Sequence, residues 1–72
     1  PLNTDKLQET FKHNIKDIIN ESIAHEKKAI DAYYNLLQEV KDKSIALEEY
    51  SRNMICIEEQ DYKEMVKMLK NN

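Results

Sequence analysis

Glu26, Glu58 and Asp61 fall on the apolar stripes of two long helical segments, where a carboxylate has no ordinary place. A row of Ile, Leu, Tyr and Met turns toward a dry interface, and an acid set into it must be paired, protonated or bound to a cation. Counting roughly 100° per residue, Ile19, Tyr33 and Leu37 lie within about 20° of Glu26, and Leu47, Ser51, Met65 and Leu69 within about 20° of Glu58. Asp61 follows Glu58 at i+3, one turn on and nearly on the same side, so both can reach one ion. Carboxylates can bridge two cations, and iron(II), manganese(II) and calcium accept all-oxygen donor sets. Metal binding is the leading chemical expectation.

Two helices must bring these acids together. From Leu7 the apolar residues recur at helical spacing through Phe11, Ile15, Ile18, Ile19, Ile23, Ile30, Tyr33, Leu37 and Val40, with no proline to interrupt them. The pattern predicts a first helix over about 5–40, with Thr4 or Asp5 as its N-cap and Asn20 as the one place where a kink or break would fit. Lys41-Asp42-Lys43-Ser44 is a polar run carrying two capping residues and is the expected turn. A second helix follows over about 45–70, and so short a connection makes the two helices antiparallel neighbours. Glu26 and Glu58 stand equally far in sequence from Asp42, roughly 24 Å along each helix, so they should face one another.

The chain has 72 residues, no Gly, one Pro, and 35% charged residues, mostly good helix formers. That composition predicts a single all-α domain over 1–72, and a chain so short rarely buries enough apolar surface by itself. An oligomer of identical chains is expected, a homodimer or a ring of dimers. The 11 basic and 14 acidic residues alternate along both segments, which argues against a nucleic-acid footprint, and no apolar run reaches membrane length. A lone Cys56 offers no intrachain disulfide, so a reducing, cytoplasmic setting is the default.

Bland roles compete for each residue. Glu26 and Glu58 could be inward acids paired with Lys27 or Lys63, Asp61 a solvated acid, and Tyr62 a core aromatic. His13 and His25 are too far apart to form a pair and read as surface residues. Cys56 points well away from Glu58 and should pack with Ile45 on a second face of helix two. The methionines and tyrosines are expected to pack between helices.

The run Glu26-Lys27-Lys28-Ala29-Ile30-Asp31-Ala32-Tyr33, followed by Glu58-x-x-Asp61 and a tail of Met65, Leu69, Lys70 and Asn71, resembles the ferritin-like superfamily. More narrowly it is similar to the encapsulated ferritins, two-helix ferroxidases carried as cargo of an encapsulin shell. The resemblance covers about residues 14–71. It implies an antiparallel helical hairpin that completes a four-helix bundle by dimerisation, with a di-iron centre between subunits where iron(II) is oxidised by oxygen or peroxide for storage. It further implies Glu26 and Glu58 as bridging or chelating ligands, Asp61 as a terminal ligand and Tyr33 as a hydrogen-bond donor that orients a ligand carboxylate. The usual Glu-x-x-His lacks its His. One register gives Glu58 and Asp61; the other gives Glu59 and Tyr62, less favoured because Glu59 shares its face with Glu48, Arg52 and Lys63. The likeness implies an encapsulin nanocompartment as location, and no targeting peptide of the family's kind is recognisable in these residues. The rival expectation is a non-catalytic oligomerisation or adaptor module whose inward acids form interhelical salt bridges.

Overall fold

The computed structural model describes residues 4–71. Two helices make up the fold: α1 over Thr4–Val40 and α2 over Ile45–Lys70, folded into an antiparallel hairpin. It is a rod of 66 × 16 × 14 Å. α1 runs unbroken through Asn20, so neither a break nor a second short helix interrupts it. α1 begins at Thr4, the first described residue. Among the described residues no helix is long and apolar enough to cross a membrane.

The turn is built from side-chain chemistry rather than glycine. Asp42 takes the left-handed conformation, φ 63°, which a short acidic side chain tolerates better than most. The N–H groups of Lys43 and Ser44 donate to the Val40 carbonyl at 2.9 and 3.1 Å, closing the end of α1. Ser44 then sits extended at φ −148°, ψ 110°, and its Oγ accepts from Leu47 N at 3.2 Å, capping α2.

The core is thin. Ile19 and Ile55 are each 7% exposed, and Ser51 is wholly buried, its hydroxyl donating to the Leu47 carbonyl at 2.8 Å. Nearby the Tyr33 and Tyr50 rings meet edge to face, centroids 6.2 Å apart. Cys56 and Ile45 do not form the second packed face expected of them: Cys56 is exposed and Ile45 is 80% exposed. A lone hairpin has only one inward stripe per helix, and both residues lie off it.

Truncating Ile55 to Ala should destabilise the protein by about 2–4 kcal/mol, as expected for opening a cavity at a buried isoleucine. Ile45→Ala should stay within about 0.5 kcal/mol of wild type. Urea unfolding at one fixed protein concentration compares them.

Candidate metal centre

The hairpin seam carries the acids toward each other. Glu26 comes from mid-α1, and Glu58 and Asp61 come from adjacent turns of α2. One carboxylate oxygen from each lies within 4.8 Å of the other two. Oxygens that share one cation at about 2.0–2.6 Å can be no more than roughly 5 Å apart, so the spacing matches a common ion. Glu26 and Glu58 are half-buried and Asp61 is exposed, which leaves the cluster closed on the seam side and open on the other.

Glu26 is the least satisfied of the three. Its Oε1 is buried and has no hydrogen-bond partner. A buried carboxylate oxygen without a donor carries its full desolvation cost, and a cation removes that cost directly. The ion pairs on the surface lie elsewhere: His13 with Asp17 at 3.3 Å, and Arg52 with Glu48 and Glu49 at 3.6 and 3.4 Å. Among the described residues no lysine or arginine pairs with Glu26, Glu58 or Asp61. Lys27, offered by the sequence as a partner for these acids, instead holds its Nζ 5.8 Å from the Tyr62 ring centroid, a cation–π distance.

Both second-helix registers find distinct places. Glu58 and Asp61 converge with Glu26, whereas Glu59 faces away and its Oε2 accepts from the Tyr34 hydroxyl at 3.0 Å. That hydrogen bond, and then the carboxylate's charge, holds the Tyr34 pKa above the ordinary tyrosine value. Tyr62 lies beside Lys27, Ile30 and Asp31. The Tyr33 ring meets Tyr50 edge to face, about two turns nearer the hairpin turn than Glu26.

Sequence reasoning overlooked two features. The Tyr34–Glu59 latch joins exposed positions of different helices and leaves no trace in apolar periodicity. His25, read as a surface residue, is exposed but lines an open groove with Ile18, Glu21, Ser22, Glu26 and Met65. Its place directly before Glu26 was the available signal. No protein-family model, curated protein or solved structure matches this chain.

Glu26→Met keeps the length and removes the buried charge, so the metal-free protein should gain about 1–3 kcal/mol in urea unfolding. Added manganese(II) should raise the melting temperature of wild type and leave the variant unmoved. Tyr34 gives a second test. Its pKa is raised in the folded chain, so its contribution to stability is complete below the unfolded tyrosine pKa of about 10 and is lost as pH rises through the higher folded value. In a tyrosinate absorbance titration, Tyr34→Phe should remove a late-titrating phenol, and Glu59→Gln should bring that phenol's titration to lower pH.

Proposed function

We propose that this chain is a ferroxidase of the ferritin-like kind, most similar to the encapsulated ferritins, that oxidises iron(II) at a carboxylate-rich di-iron site between two copies. The observation that carries the proposal is the buried, unpartnered Oε1 of Glu26 within a cluster of carboxylate oxygens from Glu26, Glu58 and Asp61. A structural salt bridge would place a lysine or arginine on those acids, and among the described residues none is there.

Iron(II) is the substrate. Three carboxylates offset the charge of one divalent ion with a surplus, and the surplus favours iron(III) over iron(II), which is the direction of the reaction. One hairpin supplies too few donors for two ions. A second copy related by a two-fold axis doubles the set to four Glu and two Asp, the count used by carboxylate-bridged pairs of ions in four-helix bundles. Each iron(II) gives up one electron to oxygen or peroxide, and iron(III) passes on to storage. On the same likeness the larger partner is an encapsulin shell. The all-oxygen donor set lacks imidazole's preference for later transition metals, so manganese(II) and calcium compete for the site.

Within each chain the half-buried Glu26 and Glu58 hold the inner side of an ion, and the exposed Asp61 closes the side nearer solvent. The rival reading, a plain assembly module, gains its support from the exposed apolar residues of α2.

Mixing the protein with iron(II) in air and following the ultraviolet absorbance of iron(III) tests the proposal. Wild type should oxidise iron at least about tenfold faster than buffer, and Glu26→Ala and Glu58→Ala should fall to the buffer rate; one lost ligand bond of about 1.4 kcal/mol already accounts for tenfold. If Glu26→Ala oxidises iron as fast as wild type, the chain is the assembly module.

A further inference from the structure

α1 carries a file of metal-ligating residue types that the seam does not use. Asp5, Glu9, His13, Asp17, Glu21 and His25 occupy six successive positions four residues apart, so the order Asp, Glu, His occurs twice. Four residues advance a helix by about 6 Å and turn it by about 40°, so each member stands beside the next on one winding strip roughly 30 Å long. All six are exposed. The strip ends at the candidate centre, because Glu21 and His25 line the open groove that also reaches Glu26, the residue with the buried, unpartnered Oε1.

Salt bridging to lysine does not account for the inner half of the strip. The residues three and four positions from Asp17 are His13, Asn14, Asn20 and Glu21, and those from Glu21 are Asp17, Ile18, Ala24 and His25, with no lysine or arginine among them. Like charges one turn apart work against a helix, and a cation held between them removes that cost. One pair already has the bite of a chelate. His13 Nε2 is 3.3 Å from Asp17 Oδ2. Two ligands on a tetrahedral ion, with bonds of roughly 2.0–2.1 Å, stand about 3.3 Å apart.

We infer that this strip is a second divalent-cation site, in which His13 with Asp17 and Glu21 with His25 are chelating pairs that take up an ion at the surface and pass it inward to the groove at Glu26. Imidazole beside carboxylate suits zinc(II) and iron(II), whereas the all-oxygen cluster of the seam has no such nitrogen donor. Cation binding by the strip stands apart from the proposed function, and only the onward passage of iron(II) rests on that reading.

The chain has two histidines, so their imidazole proton resonances report on the strip directly. Zinc(II) is titrated into the metal-free protein, with His13→Ala and His25→Ala assigning the two signals. Both signals should shift. Asp17→Asn should raise the zinc(II) concentration needed for the His13 response by about tenfold or more, and Glu21→Gln should do the same for His25. Asp17 and Glu21 are exposed, so both variants should keep the helical circular dichroism of wild type, which separates a lost chelate from lost folding. An unmoved His13 signal would overturn the strip, and wild-type responses in both variants would overturn the chelating pairs. Iron(II) oxidation in air then tests the passage. Asp17→Asn combined with Glu21→Gln should need several-fold more iron(II) than wild type to reach half of its maximal rate, and an unchanged requirement would overturn delivery. A wild type that oxidises no iron would sink the ferroxidase reading and the passage with it, while the zinc(II) titration still decides the strip.

Discussion

Everything in this hairpin turns on the cost of a carboxylate oxygen held out of water. Oε1 of Glu26 is covered and receives no hydrogen bond. Such an arrangement is uphill in free energy, and the rest of the molecule must hold it there. What holds it is the seam itself. α1 cannot rotate Glu26 into solvent without also exposing Ile19 and Tyr33, which share its stripe, and α2 cannot withdraw Glu58 without moving Ile55. The apolar contacts are thus what keeps like charges within 4.8 Å of each other. Repulsion between them is the counterpart of affinity for a cation, because an ion that binds relieves both the repulsion and the missing hydrogen bond.

The same seam is too small to do this comfortably alone. Three buried residues among those described make a meagre core for a rod 66 Å long. Leu7 and Phe11 near the start of α1 are 53% and 66% exposed, and Ile18 is 62% exposed. α1 is longer than α2 by 11 residues, and Leu7 and Phe11 lie in its first turns. The apolar residues are thus spread over two faces rather than concentrated on one, and the acidic cluster has its exposed member, Asp61, on the open side.

Much of this was legible in the sequence because helical periodicity is a strong signal over dozens of residues. The apolar spacing from Leu7 to Val40 marked α1, the polar run Lys41–Ser44 marked the turn, and Ser44 announced itself as a cap by residue type. The carboxylates could be placed at one level because a hairpin with a short turn pairs residues equidistant from it. Other features depend on contacts that periodicity does not encode. Whether Lys27 would turn to an acid or to an aromatic face was a choice between two attractive partners, and Tyr62 won. The packing expected for Cys56 and Ile45 assumed a second covered face that a single hairpin lacks. Glu59 was already disfavoured by its helix face, but its hydrogen bond from the Tyr34 hydroxyl lies beyond what periodicity encodes.

The missing imidazole is the feature that most shapes the chemistry open to this site. Histidine would bring a neutral donor and tip selectivity toward later transition metals. Aspartate at position 61 brings a third negative charge on a shorter arm, so a divalent ion in one hairpin is left over-neutralised. That surplus stabilises a trivalent ion more than a divalent one, and it grows when two chains share the centre unless two ions enter together. In the proposed pairing of two chains, a pair of cations would be the occupancy that six carboxylates accept most readily. Under that proposal it would also be the occupancy in which two acidic faces meet without repelling each other, so that site and pairing would have one common electrostatic solution.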